Sequence, residues 1–442
     1  MMGRRDLIRA GALGLLLTSA GGLMEACGSS PKQPAIDTST EGGIRLVSAD
    51  VQRATADPAL LAPVVTGLER FGARLYDAVA GQPGNLVISP YSVAIALSMT
   101  LAGARGTTAS QLASVLGADA LGDRWHDGMN TLTSYVDGLA GPVQRQDRSK
   151  ATIGLATADA LFGQQGEAWQ KAFLEVLARD YGAGMRTVDY RSDPDKVADL
   201  ISGWVADRTD QRITNLIPHG VLTRDDRLTL VNAVSLTAPW EKPFEKSLTR
   251  PGDFHRADGS TVQAPMMTQS DVEVRLTSGP GWQAARIPYA GSTLAMTVVL
   301  PADGRFGEVE AALASGGLTA ALAGGRDTTL DLTLPRWSSR TTVSLEDALQ
   351  GLGVKQAFTD AADFTGMTTQ EPLLIDSVLH QGYIKVDEDG TEAAAATAVV
   401  MGITSGRVDP ETFVADRPFL FVLHDTAHGT PLFLGRVTDP TG

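Results

Sequence analysis

The segment from Gly390 to Val400, GTEAAAATAVV, constrains the fold of this chain more than any other segment. It has no proline and one charge, and its other side chains are small or β-branched. It fits a short alanine-rich helix, which is marginal alone in water, or a strand that is ready to join a sheet. As a strand it places Thr391, Ala393 and Ala395 on one face and Glu392 on the other, so the first face could be buried without a charge. An exposed segment of this kind is an aggregation hazard unless it has a use, and the sequence permits its insertion into a sheet.

The chain has 442 residues and indicates one large mixed domain over residues 58–442, without a second linker or an internal repeat. Helical periodicity dominates its first half, and short apolar or β-branched runs typical of strands dominate its second half. The predicted helices are Val64–Val79, Ser92–Leu101, Trp169–Arg179 and Pro194–Asp207. The predicted strands are Leu228–Leu236, Gln283–Ile287, Leu294–Leu300, Thr329–Leu334, Phe419–Leu423 and Leu432–Val437. Helices followed by strands favour an α+β fold over repeated βαβ units.

The N-terminus has the features of a bacterial export signal. Three arginines precede an apolar stretch that reaches about Met24 and is short for a membrane span. The pair Arg4-Arg5 suggests the twin-arginine route, with the general route as the alternative. The only cysteine, Cys27, follows the apolar stretch and resembles the lipid-bearing residue of a lipoprotein cleavage box. We therefore expect residues 1–27 to be a lipoprotein-type signal. Glu25 fits that box poorly, which leaves a plain secretory signal as the alternative.

Residues 28–57 are rich in Ser, Pro, Thr, Gly and Ala and show no periodicity. This composition predicts a flexible tether. Together with the signal, it predicts a domain that faces outside the cell envelope or is secreted. We expect contact with a membrane only through a lipid on Cys27.

Composition and the absence of familiar motifs exclude several classes of function. The formal net charge of −14 and the lack of a basic cluster argue against a nucleic-acid partner. One cysteine and six scattered histidines predict no metal site. We find no glycine-rich phosphate loop, no nucleophile elbow and no paired-histidine metalloprotease helix. We therefore expect no cofactor and no catalytic residues, and a hydrolase with an unrecognised site is the disfavoured alternative.

Six ordered motifs resemble the serpin family. They are NLVISPYS at residues 85–92, GARGTT at 103–108, LVNA at 230–233 with PWEKPF at 239–244, VDEDGTEAAA at 386–395, RPFLF at 417–421 and PLFLGRV at 431–437. The chain is identified as a member of this family over about residues 62–442. The resemblance implies an α+β domain of three β-sheets and about nine helices, with an exposed reactive-centre loop at about residues 388–412.

The resemblance also implies a function, which is irreversible, suicide-type inhibition of an extracellular serine protease or a cysteine protease. The protease attacks the loop and forms its acyl-enzyme. The cleaved loop then inserts into the large sheet as a new strand and deforms the protease before deacylation, so the native state must be held kinetically. The expected partner of this monomer is the target protease, in a covalent complex. The alternative is a non-inhibitory serpin that is cleaved as a substrate or serves another binding role.

The hinge of the loop favours the inhibitor, because its residues can enter a sheet at little cost. The hinge residues implied by the resemblance are Glu388, Gly390, Thr391, Glu392, Ala393, Ala394, Ala395 and Ala396. Counting from the hinge glycine as in the family places the reactive bond at Thr404–Ser405. Threonine at that position suits proteases of elastase or subtilisin type, or a cysteine protease that recognises Ile403. Cleavage at Arg407–Val408, or at Val400 or Met401, is the alternative.

The resemblance also maps a sheet-opening cluster. Ser89, Ser92, Asn232 and His380 match a buried polar cluster under the large sheet, where the strands part to admit the loop. A hydrogen-bonded network can exchange partners as strands separate, whereas an apolar seam would leave backbone groups unpaired. Trp240 matches a bulky residue where the loop first enters. A satisfied core histidine and an ordinary core aromatic residue are the structural alternatives for His380 and Trp240.

Overall fold

The computed structural model describes residues 36–317, 321–391 and 411–442. These residues form eight α-helices, which we number in chain order. The helices are α1 (Leu61–Val79), α2 (Pro90–Gly103), α3 (Gly106–Leu116), α4 (Trp125–Asp137), α5 (Lys171–Tyr181), α6 (Pro194–Arg208), α7 (Phe306–Ala312) and α8 (Glu346–Leu352). Within the described ranges, no helix is both long enough and apolar enough to cross a membrane.

The same residues form strands that we also number in chain order. The strands are β1 (Ile36–Glu41), β2 (Ile44–Ala49), β3 (Leu86–Ile88), β4 (Gly141–Gln144), β5 (Lys150–Gln164), β6 (Met185–Val188), β7 (Leu228–Pro239), β8 (Arg250–His255), β9 (Thr261–Gly279), β10 (Trp282–Pro288), β11 (Leu294–Pro301), β12 (Arg326–Pro335), β13 (Trp337–Ser344), β14 (Ser377–Asp387), β15 (Gly390–Thr391), β16 (Thr412–Val414), β17 (Phe419–Asp425) and β18 (Pro431–Val437).

Pairing between these strands produces two nine-stranded sheets. Sheet A has the order β1-β2-β6-β5-β7-β15-β14-β13, with β4 added beside β5. Sheet B has the order β16-β12-β9-β10-β11-β17-β18-β3, with β8 added beside β9. The predicted α+β class is confirmed, but the described residues form two connected sheets and eight helices where the resemblance implied three sheets and about nine helices. Strand β9 explains the difference in sheets, because its 19 residues pair with β8, β12 and β10 in turn and join them into one sheet.

Sheet A is covered on both faces. Helix α2 packs against β5 and β7 on one face and is buried almost throughout, since its residues are apolar or small on every side. Ser89 begins this helix by accepting a hydrogen bond from the backbone N–H of Ser92, and Pro90 occupies the first helical position. On the other face, α6 packs against Phe162 of β5 and Val231 of β7. Strands buried on both faces favour continuous apolar sequence, which is why β7 was readily predicted.

The tether predicted for residues 28–57 is wrong for its described part, residues 36–57. Here β1 and β2 form an antiparallel hairpin, and β2 pairs with β6 at the edge of sheet A. Ile44 is 1% exposed, so this hairpin has its own share of the core. The Ser- and Thr-rich composition concealed the strands because polar residues occupy the exposed positions of β1. The structural domain therefore extends N-terminal to residue 58, while residues 1–27 and 28–35 lie outside the described residues.

Candidate functional site: the loop hinge and the seam of sheet A

The two central strands of sheet A are joined along only part of their length. Strands β7 and β14 pair in parallel over residues 229–234 and 377–382. Further along, β15 lies between them and pairs with both, at Ala238 and Pro239 on one side and at Val386 and Asp387 on the other. Direct pairing of the two strands ends at Val234 and Gly382. We call this line between β7 and β14 the seam, and it can accept a strand.

Thr391 already lies in this seam. It is 1% exposed, and its Oγ1 is 2.5 Å from the hydroxyl oxygen of Tyr289. The preceding Gly390 has φ +152°, and a Cβ there would collide with the backbone of Ala238 and Pro239. Glycine is therefore required where the chain turns into the sheet. The loop predicted over residues 388–412 is consequently not exposed at its base, since Glu388, Gly390 and Thr391 are buried.

Trp240 lies beside this entry point. It is 0% exposed and stacks on Tyr289, with ring centroids 4.6 Å apart and planes 5° from parallel. Its indole N–H donates to the carbonyl oxygen of Asp387 at 3.0 Å, and its backbone N–H donates to that of Asp389 at 3.0 Å. Trp240 thus holds the turn that precedes Thr391.

Glu388 anchors the base of the loop from the other side. Its side chain is 2% exposed, pairs with Arg336 and accepts a hydrogen bond from the Thr249 hydroxyl at 2.7 Å. Burial by itself raises the pKa of this carboxyl, but the hydrogen bonds from Arg336 and Thr249 outweigh it and hold the pKa below its ordinary value. Glu388 therefore carries a compensated charge, and the hinge leaves β14 at a fixed point.

The structure brings three of the predicted cluster residues together across the seam. The backbone N–H of Ser89 donates to Nε2 of His380 at 3.1 Å, which makes Nδ1 the protonated nitrogen. Nδ1–H then donates to Oδ1 of Asn232 at 2.5 Å. All three residues are fully buried, and burial lowers the pKa of His380 to about 4, so the imidazole is neutral near pH 7. Because Asn232 lies on β7 and His380 on β14, this bond spans the seam.

The fourth cluster residue, Ser92, is hydrogen-bonded to a residue that the sequence patterns did not indicate. Its hydroxyl donates to Oδ1 of Asp159, on β5. Asp159 is an acidic residue within the run Thr157–Leu161, whose other members are small or apolar, and it is partly buried. We missed it because β5 itself was not predicted. Tyr289 and Arg336 were missed as well, and neither has a local sequence signal, since only the fold brings them to the hinge.

The remaining predicted residues cannot be placed. Cys27, the hinge residues after Thr391 (Glu392, Ala393, Ala394, Ala395 and Ala396) and the reactive bond Thr404–Ser405 lie outside the described residues. The same holds for the alternative bonds at Val400, Met401 and Arg407.

Comparison with known proteins assigns the family. The family model for serpins, described as serine protease inhibitors, matches residues 66–440. This chain belongs to the serpin family. It is 34% identical over 381 residues to an uncharacterized serpin-like protein of Thermococcus kodakarensis, a match that covers 86% of each chain. Serpins are generally inhibitors of proteases and not catalytic enzymes.

Solved serpin structures match the fold over most of the chain. The crystal structure of Serpin48, a highly specific serpin of the insect Tenebrio molitor, aligns with a TM-score of 0.73 at 27% identity, over 85% of this serpin and 98% of that chain. Human thyroxine-binding globulin complexed with thyroxine aligns with a TM-score of 0.76 at 24% identity, over 87% and 100% of the two chains, which shows the fold alone. The family thus includes a member named for binding a small molecule.

Proposed function

We propose that this serpin is an irreversible, suicide-type inhibitor of an extracellular serine protease, or of a cysteine protease. The observation that carries the proposal is the position of Thr391, which pairs with β7 and β14 at once in the intact chain. A strand that has begun to enter a seam needs only continued pairing to extend along it. Direct pairing of β7 with β14 ends at Val234 and Gly382, so an extending strand would follow the seam towards that point.

The proposed sequence of events begins at the reactive bond. The protease nucleophile attacks the carbonyl carbon of Thr404, the bond to the nitrogen of Ser405 breaks, and the protease is left esterified, or thioesterified, to Thr404. The chain from Thr391 to Thr404 then inserts between β7 and β14 and carries the protease along. The bond between Asn232 and His380 must break for this strand to pass. Trapping requires insertion to be faster than hydrolysis of the acyl-enzyme.

The proposed target class follows from the residue at the reactive bond. Threonine is β-branched and of medium size, so it suits the small primary pocket of an elastase-type or subtilisin-type protease. It suits neither an acid-lined pocket nor a deep aromatic pocket. Cleavage at Arg407–Val408 would favour a trypsin-like protease, but the longer tether would weaken the pull on the trapped enzyme.

We also propose that the domain acts outside the cell, either secreted or held at the envelope through a lipid on Cys27. The support is the sequence of residues 1–27. The test is the mass of the exported protein and of the Cys27→Ser variant. A lipid-sized mass difference that depends on Cys27 is expected, and a mature N-terminus elsewhere would contradict lipidation.

The inhibitory function is tested by mixing the protein with an elastase-type protease and with a subtilisin. Denaturing gels detect the adduct, and mass spectrometry identifies the released peptide. We expect a denaturant-resistant adduct and release of residues 405–442. Cleavage without an adduct, across proteases of both types, would contradict inhibition and favour a non-inhibitory serpin. Release of residues 408–442 would move the reactive bond to Arg407.

A further inference from the structure

Among the described residues, two complementary polar atoms that are buried beside the seam have no hydrogen-bond partner. They are Nδ2 of Asn232, which is a donor, and Oδ2 of Asp159, which is an acceptor when ionised. Asp159 and Asn232 are directly opposite each other in the antiparallel pair of β5 and β7. Opposite residues of such a pair project from the same face, with Cβ atoms about 5 Å apart.

Both side chains face helix α2. Asp159 accepts a hydrogen bond from Ser92, and Asn232 connects through His380 to Ser89. The five residues form a chain of hydrogen bonds that begins and ends at the N-terminus of α2. Within this chain, the link between Asn232 and Asp159 is the one that the structure leaves open.

We propose that Asp159 is a positioning residue for loop insertion, and that it receives the amide of Asn232 when β7 parts from β14. This inference rests on the proposed function, since the parting of the two strands is its insertion step. When the bond to His380 breaks, Oδ1 of Asn232 loses its donor, and the released amide can turn its Nδ2–H towards Asp159. Asp159 offers a replacement bond, to Nδ2 instead of Oδ1, because β5 stays paired with β7 over residues 154–163 and 228–237.

The charge on Asp159 controls the strength of that replacement. Burial raises the pKa of this carboxyl to about 8, the hydrogen bond from Ser92 lowers it, and the nearby charge of Asp137 raises it. At pH 7 the acid is therefore mostly protonated. Above pH 8 it is ionised, and a carboxylate forms a stronger, charge-assisted bond with an amide N–H. Loop insertion should consequently accelerate as the pH rises through about 8.

The other groups around Asp159 are identifiable. Asp159 lines a cavity of about 450 Å³. Tyr91 on α2 and Tyr181 on α5 line this cavity too, and burial raises the pKa of each tyrosine well above its ordinary value. Asp137 on α4 also lines it and is paired with Arg53 at 3.2 Å. Two further charged side chains line this cavity, those of Arg186 on β6 and Arg208 on α6.

Across the seam, the imidazole of His380 has a pKa of about 4 and stays neutral between pH 7 and 9. Burial lowers the pKa of Arg186, to about 10, which leaves it protonated in this range. The charge of Asp159, unlike those of His380 and Arg186, is therefore expected to change between pH 7 and 9. The cavity gives protons access to it.

The experiment measures insertion without a protease. An acetylated synthetic peptide with the sequence of residues 391–404 is incubated with the full chain, and native gels follow its incorporation from pH 6.5 to 9.5. For the unsubstituted protein we expect the rate to rise about fivefold, which corresponds to a hydrogen bond of about 1 kcal/mol. For Asp159→Asn we expect a flat profile. Asp137→Asn removes the neighbouring charge that raises the Asp159 pKa, so this variant should keep the rise and move its midpoint to lower pH.

A slope that survives in Asp159→Asn, or a flat profile in the unsubstituted protein, would overturn the inference. If Asp159→Asn fails to fold, Ser92→Ala replaces it. Loss of the hydrogen bond that lowers the Asp159 pKa should move the midpoint of the profile to higher pH, and an unmoved midpoint would overturn the inference.

A peptide that inserts with the expected profile, in a protein that forms no protease adduct, would refute the proposed function and leave the role of Asp159 in sheet opening intact. A peptide that inserts at no pH would overturn the inference itself, and the adduct assay then decides the proposed function separately.

Discussion

The hydroxyl oxygens of Thr391 and Tyr289 lie 2.5 Å apart in the interior of the protein. Thr391 comes from the hinge of the loop, and Tyr289 follows β10 of sheet B, so this bond ties the hinge to the second sheet. Burial raises the pKa of Tyr289 far above its ordinary value, and the bond from Thr391 lowers it only in part. The phenol therefore stays protonated and can donate at any physiological pH. Docking of the first loop residue thus depends on one identifiable hydrogen bond in addition to strand pairing.

Replacement of Tyr289 by Phe should loosen this docking. The Thr391 hydroxyl would lose its partner while buried, at a cost of about 1 kcal/mol. We expect a lower urea midpoint and amide exchange in the peptide that spans residues 386–391 that is about fivefold faster, measured by mass spectrometry.

Tyr190→Phe is the matched control for this substitution. Its hydroxyl donates to the carbonyl of Phe162 at 3.2 Å and is equally buried, but it lies on the α6 side of sheet A. It should lower the urea midpoint without accelerating exchange at the hinge. Equal exchange in both variants would show that Tyr289 does not hold Thr391.

Thr391→Arg should convert the protein from an inhibitor into a substrate. A guanidinium at this site, which is 1% exposed, would either be buried at a cost or keep the hinge out of the seam where insertion starts. We expect the protease to be released and the stoichiometry of inhibition to rise at least about tenfold, which corresponds to a barrier about 1.4 kcal/mol higher. Thr391→Ser keeps the hydroxyl and should still trap. An arginine variant that traps with unchanged stoichiometry would refute insertion from this hinge.

The buried imidazole of His380 should make stability depend on pH. Its pKa is about 4 in the folded chain, against about 6.5 when unfolded. The unfolded chain therefore binds more protons between these values, so the contribution is present above pH 6.5 and is lost as the pH falls towards 4. The loss amounts to at most about 3 kcal/mol. We expect His380→Gln to remove this part of the acid destabilisation, measured as urea midpoints at several pH values.

The exposed His219 is the control, because the pH dependence of stability that it contributes has the opposite sign. Its hydrogen bond and charge interaction with Asp199 raise its pKa, so what it contributes is present at acidic pH and is lost as the pH rises. His219→Gln should therefore leave the acid destabilisation in place. Parallel pH curves for the unsubstituted protein and His380→Gln would contradict the role assigned to the buried imidazole.

Patterns within one segment predicted the fold well. The helix predicted at Val64–Val79 is observed as α1, and the strand at Leu228–Leu236 as β7, because one apolar pattern defined each of them. The hairpin of β1 and β2 escaped prediction, since its polar composition resembles that of a linker and its strands are stabilised by the edge of β6. Strand pairing is a property of two segments, and one segment read alone does not reveal it.

The candidate site shows the same division. The family resemblance placed Asn232 and His380 at the seam, and the structure brings them together. Tyr289 and Asp159 could not be inferred in this way, because their functions depend on a hydrogen bond across sheets or across strands. Such contacts become visible only when the fold is known.

Arg336→Ala should destabilise the hinge more than the loss of an exposed Arg–Glu pair would. The substitution leaves Glu388 buried without its cation, and we expect a loss of about 2 kcal/mol, reduced because Arg336 itself is partly exposed. Arg305→Ala removes a similar bond to Glu308 at 2.6 Å that is exposed on both sides, and it should cost less than about 1 kcal/mol. The free energies of unfolding of the two variants decide the matter, and equal losses would contradict a special role for Glu388.

Deletion of residues 28–57 should destabilise the protein, whereas deletion of a flexible tether would leave its stability unchanged. The deletion exposes surface that Ile44 buries, and burial of such a side chain is worth about 1.5–3 kcal/mol. It also removes Arg53, which bonds Asn130 at 2.9 Å and pairs with Asp137 at 3.2 Å on α4. We expect a loss of at least about 2 kcal/mol in the free energy of unfolding. Deletion of residues 28–35 alone is the control and should change it by less than about 0.5 kcal/mol. If the longer deletion is equally neutral, the hairpin of β1 and β2 contributes nothing to stability, and the domain begins at residue 58 after all.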